Sequence, residues 1–262
     1  MPLLIDAKHL VPVARTCMRR SSAPGADGMS WAAYRKGMRA RLADLAARIH
    51  SGQWTPGPLR TVQLTSYAGK QFPAVIPTVE DRIVHRALRH ILDPILDAAV
   101  LADWVSGYRP GRNRITALRQ VDAHLHGGSA WLADVDVAAA SAGSSAQELT
   151  GWLAQYVQDG SFLALFRRAV EGLPSPLVPG SGLWPVLFQL RLAQADARLG
   201  HLRVVRFADN YIACARSGDE AATAVSDITQ ALAVVGLAPN ARKTQIRPPY
   251  LALAEDLFLI DG

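Results

Sequence analysis

Apolar positions recur along the chain in two rhythms. Between Ser30 and His50, the residues Trp31, Tyr34, Met38, Leu42, Leu45 and Ile49 fall three or four apart, which predicts one helix with a buried stripe that stops at Gly52. Short β-like runs follow at Arg60 to Leu64 and Ala74 to Ile76, joined through Tyr67-Ala68-Gly69-Lys70. Thr78, with Asp81 three residues on, has the spacing of a capping box. The helix it opens has Val84, Leu88, Ile91 and Ile95 on its apolar face, and Pro94 is expected to kink or end it. A turn-rich loop, Ser106 to Asn113, leads into another helix, and Trp131 to Val137 reads as a strand. Residues 146–171 read as helical, and the Pro- and Gly-rich stretch Pro174 to Pro185 feeds a helix reaching Leu199.

Then comes Val204-Val205-Arg206-Phe207-Ala208-Asp209-Asn210-Tyr211-Ile212-Ala213-Cys214. Two partly β-branched runs flank a short polar centre, the pattern of a tight hairpin with a carboxylate at its tip. A last helix, Asp219 to Val235, carries Val225, Ile228, Leu232 and Val235 on one face and ends at Gly236. There is no internal repeat and no low-complexity linker, so the pattern predicts one continuous α+β unit.

Composition narrows this picture. Of the 262 residues, 50% are hydrophobic and 19% charged, which is a folding rather than a disordered composition. Two cysteines, Cys17 and Cys214, cannot build a disulfide framework or a zinc cluster, so a reducing, cytoplasmic location is expected. No signal-peptide core and no run of about 18 apolar residues is present, so no membrane span is expected. The net charge of +6 is uneven: residues 1–125 hold 18 Lys and Arg against 9 Asp and Glu, and the remainder 10 against 13. A polyanion-binding surface beside a metal site gives this split; so do arginine-rich solvated helices.

Asp and Asn are ordinary turn residues, and alone the hairpin reads as a surface turn. Its company changes that. The chain carries, in order, Pro24-Gly25-Ala26-Asp27-Gly28, Gly69-Lys70, Ile76-Pro77-Thr78-Val79-Glu80-Asp81-Arg82-Ile83-Val84 and Gly107-Tyr108-Arg109-Pro110-Gly111-Arg112. A strand with aspartates, Phe207-Ala208-Asp209-Asn210 and Gly236-Leu237-Ala238-Pro239-Asn240-Ala241-Arg242-Lys243-Thr244 complete the series. From about residue 23 to 247 this order resembles bacterial reverse transcriptases of the group II intron type. The resemblance implies a reverse-transcriptase-like palm, an antiparallel sheet packed on helices, with helical and β-hairpin fingers and no full thumb. Residues 1–125 would be fingers and N-terminal region, and 126–262 palm.

Palm polymerases add nucleotides with divalent cations, Mg²⁺ or Mn²⁺, held by carboxylates. Asp134 and Asp136 lie two apart on a strand and so share a sheet face. By resemblance Asp136 and Asp209 are the metal ligands and catalytic residues, together with Asn210, which stands where the family has a third carboxylate. Lys70 and Gly180 match nucleotide-binding positions. Tyr108, Arg109 and Arg112 match a loop that lies against the template, Arg82 matches a fingers arginine, and Asn240, Lys243 and Thr244 match the motif after the hairpin. Each also has a structural reading: Arg82 paired with Asp81, Tyr108-Arg109-Pro110 pinning its loop, Asn240 and Lys243 capping the strand after Gly236. His124 and His126 read as exposed loop histidines rather than a metal site.

The departures from the family pattern cluster on its chemistry. Asn210 replaces an anion. Ala140, Ser141 and Ala142 stand where an aromatic side chain would gate the sugar. Ser66 and Phe72 stand at the positions of the triphosphate clamp. The template-cradling loop reads Val178-Pro179-Gly180-Ser181-Gly182, without its glutamine but with Gly180 and Pro185. Asp256-Leu257-Phe258-Leu259 echoes a primer grip, and no thumb follows before Gly262. The expectation is a degenerate polymerase that binds RNA or an RNA–DNA hybrid, as a weak or inactive subunit beside a protein partner that supplies thumb surface. The alternatives are an active RNA-directed DNA polymerase using Asp136 and Asp209 with Mg²⁺, and a protein-interaction scaffold without nucleic acid.

Overall fold

The computed structural model describes residues 1–4, 6–20, 23–65, 69 and 71–258. It is mixed helix and strand, with two antiparallel sheets. The chain divides into two compact units, Met1–Ile95 with Gly143–Leu187, and Leu96–Ala142 with the described residues from Phe188 onward.

The first unit begins with α1 (Ala7–Arg20), α2 (Trp31–Arg35) and α3 (Met38–His50). The single helix expected over 30–50 is therefore two. Ser30 caps α2, its side chain accepting from the Ala33 amide, but Lys36 turns extended and Gly37 enters the left-handed region at φ 81° before α3 starts. The apolar period runs through this break because Trp31, Tyr34, Leu42, Leu45 and Ile49 are all buried regardless. Beyond Gly52, β1 (Arg60–Thr65) and β2 (Gln71–Ile76) pair antiparallel, with Arg60 opposite Ile76. Lys70 and Ser66, in their connection, lie outside the described residues.

Next comes α4 (Val79–Ala99), whose part up to Ile95 belongs to this unit. The Thr78 hydroxyl accepts from the Asp81 amide at 3.1 Å, as the capping pattern predicted. Pro94 does not end the helix. It lies on the exposed side of α4, as does His90, so solvent can satisfy the His90 carbonyl that Pro94 cannot reach. The stretch expected to be helical over 146–171 is α6 (Ala146–Leu153) and α7 (Gly160–Glu171), each separately capped, by Ser145 and by Asp159.

The second unit holds α5 (Arg114–His126), β3 (Trp131–Ala138), most of α8 (Trp184–Asp196), β4 (Val204–Phe207), β5 (Asn210–Ala215), α9 (Gly218–Ala233), β6 (Ala238–Pro239) and β7 (Gln245–Arg247). Its sheet runs β4-β5-β3-β6, with β7 also on β3, and every pairing is antiparallel. One face buries Leu132, Val205 and Ile212 against Ala117 and Val121 of α5 and against Phe258. On α9, Ala221, Ala224, Ile228 and Leu232 are buried, and the helix packs on β3 and β5. Among the described residues no helix is long and apolar enough to cross a membrane.

His85 on α4 is 1% exposed, and among the described residues neither ring nitrogen has a hydrogen-bond partner. Burial pushes its pKa down to about 4. The unfolded chain takes up this proton near pH 6.5 and the folded chain only near 4, so folded stability falls as pH drops through that window. The loss should reach roughly 3 kcal/mol at 1.36 kcal/mol per pKa unit. Urea unfolding at pH 7 and pH 4.5 should show His85→Leu losing less stability on acidification than the wild type; equal losses would place the buried imidazole elsewhere.

Candidate functional site

The site is built on the middle strand of the second unit. β3 alternates, so Leu132, Asp134 and Asp136 share one face, and the neighbouring β5 sets Asn210 opposite Asp136. Leu132 enters the core below; the two aspartates continue the same face toward the strand end. Asp134 is neutralised by Arg247 of β7, which donates twice, at 2.7 and 3.0 Å. Asp136 accepts from the Asn240 amide nitrogen at 3.1 Å and lies 3.6 Å from the Lys243 ammonium. The Asn240 backbone fixes this arrangement: its N–H donates to Asp136 O at 2.7 Å, and its carbonyl accepts from Lys243 and Thr244.

Asp209 arrives from the hairpin the sequence predicted. Ala208 and Asp209 form its two-residue loop between β4 and β5, with Ala208 in the left-handed region at φ 56°. The Val137 N–H donates to the Asp209 carbonyl at 3.2 Å, which brings this residue beside Asp136 across the strand pair. Burial, and then the neighbouring Asp136 charge, raise the Asp209 carboxyl above the usual range, with Lys243 and Arg206 pulling the other way. Two like charges held together are what a divalent cation would relieve, so the carboxylates of Asp136 and Asp209 fit one, with the Asn210 amide as a neutral neighbour. Among the described residues no group of three or more His, Cys, Asp or Glu converges on a common point.

What fixes the hairpin was not read from the sequence. Arg206, inside β4, is fully buried. Its Nε lies 3.1 and 3.0 Å from the two Asp196 oxygens, its Nη2 bonds Asp196 at 2.5 Å, and its Nη1 donates to the Ala208 carbonyl at 2.9 Å. The Tyr211 hydroxyl donates to Asp196 at 2.8 Å. The available signal was a charged residue in the middle of an apolar strand run, which in a buried strand demands a partner.

The loop Ser106 to Asn113 is stitched to the same hairpin. The Ser106 N–H donates to Arg206 O, and Arg206 N–H donates to Trp104 O. Gly107 passes so close that a Cβ there would overlap the Ala208 backbone, and the Gln189 side-chain amide donates to the Gly107 carbonyl. Tyr108 follows at φ 55°, with its ring 5.6 Å from Phe188, edge on, and 43% of the residue exposed. Burial of its hydroxyl end, helped by the Asp209 charge, pushes the phenol up to about 12.

Arg109 departs from the expected phosphate contact. Its side chain is 5% exposed, bonded to the Asp97 carboxylate and donating to the carbonyls of Ala102, Val105 and Asp97. Its donors are taken up in holding the loop. Arg112 bonds the Asp103 carbonyl and, at 3.0 Å, its carboxylate, while keeping part of its surface exposed. Lys243 is about half exposed.

In the first unit, Arg82 donates to the Ala23 carbonyl at 3.0 Å and lies 5.2 Å over the Trp31 ring. The Asp81 carboxylate, its expected pairing partner, accepts from the Gly57 N–H at 3.0 Å. Gly180, at φ 94°, approaches Val75 so closely that a Cβ would strike the Val75 carbonyl. Beside it the Pro179 carbonyl accepts from the Val75 N–H at 2.9 Å. His124 and His126 lie on the last turn of α5 rather than in a loop.

Comparison with known proteins adds to this geometry. A family model described as "Reverse transcriptase (RNA-dependent DNA polymerase)" matches residues 65–251, more than two thirds of the chain. Protein YkfC of Escherichia coli (strain K12) is 26% identical over 217 residues, covering 75% of this chain and 56% of YkfC. Group II intron-encoded protein LtrA of Lactococcus lactis subsp. cremoris is 29% identical over 98 residues, 37% of this chain and 16% of LtrA. The "Uncharacterized 91 kDa protein in cob intron" of Schizosaccharomyces pombe is 27% identical over 165 residues, 57% of this chain and 19% of that protein. The chain thus spans little more than half the length of YkfC, and less of the other two.

The two arginine anchors should differ measurably from the exposed arginine. Arg206→Leu strands the buried Asp196 charge and should cost roughly 3–5 kcal/mol. Arg109→Ala leaves buried carbonyls unpaired and should cost roughly 1–3 kcal/mol, and Arg112→Ala under about 1 kcal/mol. Urea unfolding of the three variants checks the order.

Proposed function

The chain belongs to the reverse transcriptase (RNA-dependent DNA polymerase) family, and from that premise we propose that it binds RNA or an RNA–DNA hybrid through a polymerase-like site whose nucleotidyl transfer is weak or silent. The reading is of a subunit in a larger assembly, with residues 1–125 as fingers and 126–262 as palm. The observation that carries it is the company Asp136 keeps. Asp209 is its one neighbouring carboxylate on the hairpin, Asn210 opposes it across the strand pair, and the Lys243 ammonium stands 3.6 Å away.

A divalent cation, Mg²⁺ or Mn²⁺, would be held by Asp136 and Asp209, and when bound would activate a primer 3′-hydroxyl and neutralise departing pyrophosphate. Three features of this chain oppose that binding. Asn210 contributes no charge. Lys243 competes for Asp136. The raised proton affinity of Asp209 lets a proton compete as well. The turn after β3 offers only small side chains at Ala140, Ser141 and Ala142, so no aromatic from that turn supports a sugar.

Nucleic-acid binding draws on other residues. Tyr108 presents a half-exposed ring, Lys243 and Arg112 keep exposed charge, and the first 125 residues carry the basic excess. Arg109 serves this surface by shaping the loop. In the fingers, Arg82 is a further contact, and Lys70 and Gly180 take the nucleotide positions. The exposed group Tyr250, Leu251 and Leu253 supports a protein partner. Cys17 and Cys214 are in no disulfide, which accords with a cytoplasmic home.

A second reading, an active RNA-directed DNA polymerase, is favoured by the meeting of Asp136 on β3 with Asp209 in the turn of the β4–β5 hairpin. Primer extension with Mg²⁺ or Mn²⁺ separates the two. We expect incorporation no greater than that of Asp209→Ala, whereas extension that disappears in this variant establishes the active enzyme. RNA binding should weaken steeply with salt, since each neutralised phosphate releases counterions. Lys243→Ala should lower the log–log salt slope by about 0.7–0.9, and no RNA affinity at low salt would leave the scaffold reading.

A further inference from the structure

In the first unit, two contacts pin α1 to α4. At one end the His9 and His90 rings stack, with centroids 5.5 Å apart and planes 8° from parallel. At the other the Cys17 thiol donates to the Arg82 carbonyl at 3.6 Å, so the two helices run antiparallel. Between the pins lies a groove of about 170 Å³, with Pro12, Val13 and Thr16 on the α1 wall. The α4 wall carries Arg86, Arg89, His90 and Asp93. We propose that this groove binds a dianionic phosphate group, either the terminal phosphate of a nucleic-acid strand or a free phosphate.

The charge of the walls matches that ligand. Arg19 reaches the rim of the groove, its Nη2 donating to the Thr16 hydroxyl at 3.3 Å. Three guanidinium groups, of Arg19, Arg86 and Arg89, thus meet one carboxylate, Asp93, an excess of two positive charges before His90 takes a proton. A phosphate monoester carries about −1.5 to −2 at neutral pH and a backbone phosphodiester only about −1, so the terminal group is the closer match. The donors are set for it as well. Asp93 accepts from Arg89 Nε, its two oxygens lying 3.1 and 3.4 Å away. That contact orients the guanidinium and leaves both terminal nitrogens without a hydrogen-bond partner among the described residues. The Arg89 side chain is 23% exposed, so this planar pair of donors, the shape that grips a phosphate through two bonds, is largely withdrawn from solvent. Thr16 gives its own proton to the Pro12 carbonyl at 2.9 Å, which leaves its oxygen to hold Arg19. Pro12 and Val13 make the rest of that wall apolar, where a charge-assisted hydrogen bond is stronger than in open water. Because the pins form the groove in advance, binding has little left to order.

The groove shares no residue with the carboxylate site and does not rest on its being a polymerase centre. Calorimetric titration of the full chain with inorganic phosphate, at low ionic strength, should show saturable binding. Arg89→Met keeps the length of the side chain and removes its donors, and should weaken binding by about tenfold or more, the scale of one charge-assisted contact. Arg167→Met takes the same charge from the exposed side of α7 and should leave the affinity unchanged. Asp93→Asn keeps an oxygen for Arg89 Nε and removes the opposing charge, so it should tighten binding. A gain cannot come from a lost fold, and thermal melting without phosphate checks that Arg89→Met is folded. An RNA oligonucleotide with a 5′-phosphate, set against the same strand with a 5′-hydroxyl, identifies the source. A preference for the phosphorylated strand that disappears in Arg89→Met assigns a strand end. Equal binding of the two strands, beside Arg89-dependent binding of inorganic phosphate, assigns a free phosphate. The site is overturned if neither phosphate binding nor a strand preference is found, if Arg89→Met and Arg167→Met lose affinity equally, or if Asp93→Asn brings no gain.

Discussion

The second unit depends on a charge taken wholly out of water. Arg206 sits inside an apolar strand because Asp196, at the end of α8, meets it with both oxygens, and Tyr211 and the Ala208 carbonyl complete the shell. A buried ion pair seldom adds much net stability over apolar packing, but it tolerates few arrangements. Its geometry matters here because one guanidinium nitrogen reaches the hairpin turn itself. The position of Asp209 is thus set from below by Arg206, and from the side by the Val137 N–H and the approach of Gly107. Helix, strand and loop converge on a two-residue turn whose left-handed alanine would be costly without them.

Around that turn the electrostatics are balanced rather than strongly one-sided. Asp134 is taken by Arg247, and Asp136 is shared with Asn240 and Lys243. Asp209 is the carboxylate of the site whose proton affinity burial has raised. A site with three unopposed carboxylates needs cations to fold quietly; this one carries its own counter-charges.

Much of this was legible from pattern. The hairpin, the aspartate-bearing strand, the Thr78 cap of α4 and the helix after the hairpin follow from period, turn residues and capping pairs, because each is decided by neighbours in sequence. What was not legible depends on distant partners. Arg109 sits in a motif that looks like a phosphate contact, yet only the fold shows Asp97 and three carbonyls closing around it. Gly37 breaks a helix whose apolar rhythm continues unchanged, since both halves bury the same stripe. Gly107 read as part of a loop motif and Gly180 as a nucleotide-binding position, whereas the close approaches that need glycine at both are set by backbones remote in sequence, at Ala208 and Val75.

β3 has a consequence for how the chain comes off the ribosome. It is the centre of its sheet, but every strand that pairs with it is made much later: Arg247 reaches Asp134 across 113 residues and Asn240 reaches Asp136 across 104. During synthesis β3 emerges with both edges unpaired, and the segment that includes α6 and α7 must follow before either edge is covered. Long-range pairing of this kind closes slowly and leaves sticky edges exposed meanwhile. The two aspartates on that strand supply like charges that keep nascent copies from pairing with one another, so the carboxylates guard the strand before they have any site to serve.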